Sequence, residues 1–587
     1  MNRVESDFSL VQVPVHLREF VVEQDYERYT PVDHAVWRYV MRQNLSFLSK
    51  TAHAAYVDGL RTSGISVERI PNIREMNESL AQIGWGAVTI NGFIPAVAFF
   101  DFQAHGILPI ACDIRQYEHI AYTPAPDIIH EAAGHAPIIK DEKYRSYLKC
   151  FGEIGSRALS SREDYELYEA IRLLSIVKED PHSTEAEIRA AELELEQKAQ
   201  AVQEVSEANQ LARLYWWTVE YGLIGDLENP QIYGAGLLSS VGESMSCLKD
   251  DVRKIPFSLQ ACIETDYDIT KPQPQLFVCR DFDELIEAVQ EFAKTMAMSV
   301  GGTESLIKAS KMPQTSTSVY SSGLQVSGVL SELEFDDRGE AVYLKTVGPT
   351  ALAVGGKELP GHGKTCHAEG FGSPIGLLAG EPTPLEAFTD GQLEVYGIVA
   401  DRTATLTFAS GVQVVGRVAY IRRENGKIVL IGFDNCTVTY RGKTLFRAEW
   451  GTYDMAVGEK IVSVFAGAAD REAFATGTHK PSAVNARRPV YSAEQKRLHR
   501  LYQRVRDIRE QAPAAETAQR VLAEVVREAD EAFPDDWLIR LEILEILHER
   551  CLLPDKQAHL RRALEALREK DGEQAQLIDN GLLLIGK

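Results

Sequence analysis

The chain has 587 residues, enough for about three to five domains at roughly 100–200 residues each. Its 45% apolar and 25% charged residues exclude disorder as the main theme. The 62 Lys+Arg against 85 Asp+Glu give a net charge of −23, which disfavours nucleic acid and anionic membranes as partners. No run nears the ~18 apolar residues of a membrane span. The N-terminus MNRVESDFSLVQVP has neither a basic start nor an apolar stretch, and the eight cysteines form no CxxC pair. A reduced, cytoplasmic protein is the expectation.

In chain order, residues 1–310 read as a mainly α-helical region that holds the motifs described below. Within it, 162–214 is strongly charged and helical, with Thr184 and Glu187 spaced as a capping box. It is expected as a helical hairpin insertion. The Ser/Thr-rich stretch 311–323 reads as a linker, so a fragment ending at 312 is expected to fold alone. From 324 to 475 the apolar period becomes two, as in Ala404-Thr-Leu-Thr-Phe-Ala409, and Asn425-Gly426 marks a hairpin. This predicts a β-rich domain, a barrel or sandwich. From 491 to 587 the period returns to that of helices, with Leu498, Leu501, Val505 and Ile508 on one face and Pro513, Pro534 and Pro554 as punctuation. A small helical bundle is expected there. The fold class is therefore multidomain: mainly α, then β-rich, then helical.

The chemistry concentrates in Tyr122-Thr-Pro-Ala-Pro-Asp-Ile-Ile-His-Glu-Ala-Ala-Gly-His-Ala-Pro137. Pro124 and Pro126 suit the start of a helix, and Asp127 complements its dipole. His130 and His135 are five residues apart, not the four that put both imidazoles of HExxH on one face. At ~100° per residue they stand about 140° apart on an α-helix, so they can share a metal only near a helix end or on a deformed helix. Gly134 and Pro137 allow either. A second stretch, Tyr215-Trp-Trp-Thr-Val-Glu-Tyr-Gly-Leu223, sets the single carboxylate of Glu220 among apolar and aromatic residues. Burying it unpaired costs several kcal/mol. Either an arginine or a metal ion can answer that charge. Two imidazoles and a carboxylate make the facial triad of non-haem Fe(II) oxygenases.

These motifs, in this order, resemble the tetrahydropterin-dependent aromatic amino acid hydroxylases. The likeness runs through Ile90-Asn-Gly-Phe-Ile-Pro-Ala-Val-Ala-Phe99, Cys112-Asp-Ile-Arg115, TPAPDIIHEAAGH and YWWTVEYGL. It continues through Tyr233-Gly-Ala-Gly-Leu-Leu-Ser-Ser-Val-Gly-Glu243 and Pro272-Gln-Pro-Gln-Leu-Phe277. It spans roughly residues 10–300. It implies the family's catalytic fold, Fe(II) and a tetrahydropterin as cofactors, and His130, His135 and Glu220 as catalytic iron ligands. It implies Arg115, Thr123, Trp216, Gly236, Ser239 and Ile269 around the amino acid, with Arg115 clamping its carboxylate. Gly92, Ile94, Phe99, Glu131, Ala212 and Tyr215 would surround the pterin, with Phe99 stacked on its ring. In this family Trp at the position of Trp216 goes with phenylalanine or tyrosine as substrate and Phe with tryptophan. An Asp at the position of Ile269 goes with tyrosine. The implied activity is thus hydroxylation of L-phenylalanine to L-tyrosine by O₂, in aromatic amino acid catabolism. Hydroxylation of tryptophan or another aromatic amino acid is the alternative. The interval from His135 to Glu220 is longer than usual in the family because of the 162–214 insertion.

Residues 324–587 have no counterpart in the animal members of the family. They are open to a binding or assembly role, through self-association or a protein partner. Partners otherwise are expected to be small molecules: the amino acid, O₂ and the pterin. In Gly361-His-Gly-Lys-Thr-Cys-His367, His362, Cys366 and His367 are potential metal donors. With no fourth ligand evident, the segment is expected to be a metal-free loop.

Overall fold

The computed structural model describes residues 11–90, 92, 94–120, 127–179, 183–202, 205–268, 271–475, 490–570 and 572–586. The helix Pro31–Thr51 lies at its centre. It opens with Pro31 at its first turn and a capping box between Thr30 and Asp33. Seven consecutive residues, Ala35–Met41, are buried, so this helix has no solvent face in its first half. One side packs on the motif-bearing region and the other on the C-terminal helices.

Two small sheets frame that region. One runs Val21–Val22, Gly86–Ile90, Ile107–Ala111, its last two strands parallel. The other runs Gln231–Ile232, Leu223–Ile224, Gln275–Cys279, Arg253–Pro256. Helices Ala96–Ala104, Glu142–Gly155 and Phe282–Thr295 complete the layer. Asp141 caps the second of these and Asp281 the third. The insertion is a two-helix hairpin, Arg162–Glu179 and Glu185–Ala201, with the Thr184–Glu187 capping box formed. It ends earlier than the expected 214. Helix Glu207–Tyr215 is separate, and its Leu211, Leu214 and Tyr215 are buried in the central core.

The stretch 311–323 is not a linker. Residues Ser316–Tyr320 form a strand between Leu324–Phe335 and Ile461–Ala466. Of the small hydroxyl residues that suggested a flexible joint, Ser316, Thr317, Ser318 and Ser322 are buried instead. Thr317 and Ser327 pair their hydroxyls at 2.9 Å, and Tyr320 is fully buried. This strand belongs to a six-stranded sheet, and a five-stranded sheet is built on Gln413–Glu424 and Lys427–Tyr440. Asn425 and Gly426 both take positive φ, 49° and 80°, at the tip of that hairpin, as a type I′ turn requires. Strand Thr403–Thr407 alternates exposed and buried residues. Val429, Leu430 and Ala456 of the five-stranded sheet share a core with Leu324, Val326 and Leu344 of the other.

Five helices end the chain: Ala493–Gln511, Ala515–Ala532, Trp537–Glu549, Pro554–Arg568 and Gly572–Ile585. Leu501, Val505 and Ile508 are buried along the first, with Leu498 packed at the edge. Pro513 and Pro534 lie between helices, and Pro554 starts one.

The parts are joined through buried contacts. A single apolar cluster runs from Ala35 to Ile585. Arg38 pairs with Glu542, their side chains 2% and 4% exposed. Arg42 donates to Glu545 at 2.8 Å, and Tyr39 to the Leu577 carbonyl at 2.6 Å. After the β-rich region, Arg471 donates to Asp101 at 2.5 Å and to the Ser156 carbonyl at 2.6 Å. Leu159, Ala297, Leu306 and Ala309 enter the core of the six-stranded sheet. A fragment ending at 312 would strip partners from all of these, so the expectation that it folds alone is not supported. No helix among the described residues is long and apolar enough to cross a membrane.

The Arg38–Glu542 pair gives a direct test. Arg38→Ala removes the nearer of two guanidiniums from the buried Glu542, with Arg509 still 3.6 Å away, which costs up to about 3–5 kcal/mol. Urea unfolding should show that loss in one transition, because the two regions share a core. A loss under about 1 kcal/mol, or a C-terminal transition that separates without affecting the rest, would contradict this coupling.

Candidate active site

Two short segments build the site, and both are π-helical: Ile129–His135 and Trp216–Glu220. In a π turn the hydrogen bonds run from i to i+5. Residues five apart therefore stand one above the other, as residues three or four apart do on an α-helix. That solves the spacing problem of His130 and His135. Their ring centroids are 5.1 Å apart and their planes nearly perpendicular. Gly134 allows the turn to seat closely, since a Cβ there would lie 2.6 Å from the Ala235 carbonyl oxygen. Ala132 and Ala133 are fully buried beside it, so larger side chains would push the turn off its neighbour.

Glu220 comes from the second π turn, which continues helix Glu207–Tyr215. Its Oε2 lies 3.2 Å from His130 Nε2 and its Oε1 3.3 Å from His135 Nε2. Among the described residues these imidazoles, not an arginine, are its ion-pair partners. Glu131 also reaches the cluster, with Oε2 3.7 Å from His135 Nε2. Both ring nitrogens of His135 and Oε2 of Glu131 are buried without a hydrogen-bond partner among the described residues. Buried, convergent donors left unsatisfied in this way fit a shared cation. Two imidazoles and one carboxylate suit Fe(II) and leave coordination positions open.

The electrostatics follow. Burial opposes charge on Glu220, but His130 and His135 outweigh it and hold the carboxyl well below its usual range. Burial likewise disfavours a charged His130, yet Glu220 chiefly, with Glu131 and Asp127, holds its pKa up to about 9. Burial pushes the Glu131 carboxyl up, against the two histidines. Ser239 donates to the Ala235 carbonyl at 2.8 Å and meets His130 Nδ1 at 3.1 Å. Its oxygen thus accepts the Nδ1 proton, and Nε2 is left facing Glu220.

Asp127 has two roles where the sequence suggested one. It accepts the His130 backbone N–H at 3.0 Å, as the dipole argument expected. It also accepts from Arg115 Nε at 2.8 Å and Nη2 at 2.9 Å. Arg115 is buried, so one edge of its guanidinium is committed to Asp127 and its remaining donors face elsewhere. Trp216 is half-buried and stacks with Tyr221 at 4.6 Å and Tyr267 at 4.4 Å. Tyr221 in turn donates to Glu243 at 3.1 Å, and Glu243 accepts the Gln273 N–H at 3.1 Å. Gly236 sits against the Glu220 backbone, where a Cβ would come within 3.1 Å of its carbonyl oxygen.

On the other side, Phe99 meets Tyr215 edge to face at 5.8 Å, and Tyr215 accepts from Gln103 at 2.7 Å. Ile94 is buried and Ala212 half-buried. Gly92 takes φ +63°, and a Cβ there would meet nothing within 4 Å, so the loop before helix Ala96–Ala104 borders open space. Thr123 and Ile269, and with them Pro124 and Pro126, lie outside the described residues. The Tyr221–Trp216–Tyr267 stack and the Asp127–Arg115 pair were not anticipated. Asp127, three residues before His130 in a motif with Arg115 upstream, was the available signal.

A family model described as biopterin-dependent aromatic amino acid hydroxylase matches residues 23–170 and 192–302. The unmatched interval falls within the helical hairpin. Phenylalanine-4-hydroxylase of Chromobacterium violaceum is 28% identical over 272 residues, 46% of this chain and 77% of that protein. That of Ralstonia nicotianae is 29% identical over 274 residues, 46% and 74% respectively. A crystal structure of the C. violaceum enzyme with iron(III) and 7,8-dihydrobiopterin is 26% identical, with TM-score 0.38, covering 48% of this chain and 92% of that one.

The raised His130 pKa predicts a pH signature. A group whose folded pKa lies above its unfolded value stabilises the fold below the latter and loses that contribution as pH rises through the former. In metal-free protein the His130–Glu220 contribution should be full below pH 6.5 and fade toward about 9. Fe(II) must displace that proton, so its affinity should rise by up to about tenfold per pH unit across the same window. Competition with a chelator from pH 6 to 9 measures this. A pH-independent affinity, after correction for the chelator, would contradict it.

Proposed function

We propose that the chain, whose residues 23–170 and 192–302 match the biopterin-dependent aromatic amino acid hydroxylases, converts L-phenylalanine to L-tyrosine with O₂, non-haem Fe(II) and a tetrahydropterin. The observation that carries the reading is the meeting of His130, His135 and Glu220 at 3.2–3.3 Å. Relatives bearing the phenylalanine-4-hydroxylase name support the substrate. Iron and pterin, when bound, supply the O₂ activation that no side chain can provide.

The chain's own residues bind, orient and exclude water. His130 and His135 offer Nε2 and Glu220 a carboxylate oxygen to the metal. Ser239 holds the His130 Nδ1 proton, which keeps the ring turned toward the metal. Asp127 locks Arg115 so that its free donors can take the substrate carboxylate without first ordering a flexible side chain. Trp216, itself held by two stacked tyrosines, is a rigid wall for the substrate ring. Phe99, Gly92, Ile94, Glu131, Ala212 and Tyr215 form the pterin side. Cytoplasmic residence is part of the reading; none of the eight cysteines, all among the described residues, is in a disulfide.

Two results test it. Arg115→Ala should raise the KM for phenylalanine by the equivalent of about 2–5 kcal/mol, the cost of losing a desolvated charge pair. The KM for the pterin should change far less; an equal change in both would remove Arg115 from the substrate site. In competition among equimolar phenylalanine, tyrosine and tryptophan, phenylalanine should have the highest kcat/KM, and Trp216→Phe should shift the ratio toward tryptophan. A wild-type preference for tryptophan would overturn the substrate assignment and leave the iron site standing.

A further inference from the structure

The loop His362–His367, which the sequence left as metal-free for want of a fourth ligand, has that ligand in the folded chain. Strand Tyr453–Ala456, paired with Lys427–Tyr440 in the five-stranded sheet, brings Asp454 to it. The donor atoms of His362, Cys366, His367 and Asp454 all lie within 4.8 Å of one another. We propose that these four residues form a tetrahedral site for a divalent ion of the zinc class, separate from the catalytic centre, that staples the 359–371 loop to the neighbouring sheet.

Among the two imidazoles and the carboxylate, the distances are close to those of a coordination shell, and the Cys366 thiol lies within 4.8 Å of all three. His362 Nδ1 and His367 Nε2 are 3.4 Å apart, and each is 3.6–3.7 Å from Asp454 Oδ2. Metal–nitrogen bonds of about 2.0–2.1 Å at tetrahedral angles set ligand atoms about 3.3–3.5 Å apart. Closing the shell around an ion thus requires only small side-chain movements. The donor set selects the metal. One thiolate and two imidazoles are too soft for Mg²⁺ or Ca²⁺, which take oxygen ligands. Four protein ligands also close the site, unlike the three at the catalytic centre, and closed tetrahedral sites are structural.

The scaffold holds these side chains in place. The His362 N–H donates to the Leu359 carbonyl and its carbonyl accepts from Leu352, both at 2.9 Å. The Cys366 N–H donates to Gly363 at 2.9 Å, and the His367 carbonyl accepts from Thr350 at 3.0 Å. Tyr420 donates its hydroxyl to Asp454 Oδ1, which leaves Oδ2 for the ion. Such a partner, one shell out from the ligands, fixes the carboxylate's orientation. Gly432 makes room for Tyr420, since a Cβ there would lie 2.1 Å from its ring. The two imidazoles are 10–12% exposed while Cys366 is exposed, so an ion enters from the thiol side.

Cobalt(II) distinguishes the two sites of the full-length protein, because only this one contains sulfur. After stripping with a chelator, titration with Co(II) should produce a thiolate-to-metal charge-transfer absorption that saturates at one ion per chain and is displaced by Zn(II). His130→Ala should retain it, and Cys366→Ser, at an exposed position, should abolish it. Asp454→Asn should weaken Zn(II) binding at least about tenfold; if that variant does not fold, Cys366→Ser decides. Protein purified without added metal should carry about one zinc per chain, and Cys366→Ser should keep its hydroxylation rate per iron. Absence of the band in the wild type, or its survival in Cys366→Ser, would overturn the proposal and leave a hydrogen-bonded histidine pair.

Discussion

The structure depends on one unfavourable act, the burial of the Glu220 carboxylate among tyrosines and tryptophans. Such a charge is tolerable only with counter-charge or a metal at contact distance. Two backbone irregularities place that contact. A π turn at Ile129–His135 aligns the two imidazoles, and a second at Trp216–Glu220 turns the carboxylate to meet them. π turns are seldom favoured by themselves and persist where packing and function hold them. Here the close seat of Gly134 on Ala235, the Ser239–His130 contact and the Asp127–Arg115 pair do the holding.

The surrounding shell holds the side chains of the candidate site through contacts within the chain itself. Arg115 is committed on one edge, and Trp216 is fixed by Tyr221 and Tyr267. Glu243 ties Tyr221 to the chain at Gln273. Three of these contacts, Trp216–Tyr267, Tyr221–Glu243 and Glu243–Gln273, join segments more than twenty residues apart. Preorganisation of this kind lowers the ordering cost of binding.

Much of this was legible in the sequence, and the failures have identifiable causes. The helical faces, the proline punctuation and the Asn425-Gly426 turn are local signals, and each emerged where the pattern put it. The gap between His130 and His135 was awkward only on the assumption of an α-helix; residue spacing carries no mark of an i→i+5 ladder. The stretch 311–323 misled because Ser and Thr suit both linkers and strands. The strand Ser316–Tyr320 exists because distant strands pair with both of its edges. Asp454 could not be joined to His362, Cys366 and His367 for the same reason, since only sheet pairing brings it there. The C-terminal helices are expected from the sequence as a small bundle domain, yet Arg38, Tyr39 and Arg42 make them a wall of the central core.

The central claim is that Glu220 is retained as a metal ligand rather than as a structural ion-pair partner. Iron-dependent tyrosine formation by Glu220→Gln tests it most directly, with thermal melting as the control for folding. The substitution keeps size and one acceptor oxygen, and replaces the other oxygen and the charge with a neutral amide NH2. The account predicts a cooperatively folded protein, lowered in melting temperature by no more than the lost His130–Glu220 pair, and no measurable turnover at any ratio of Fe(II) to protein. Near-normal turnover at one equivalent of Fe(II) would contradict it.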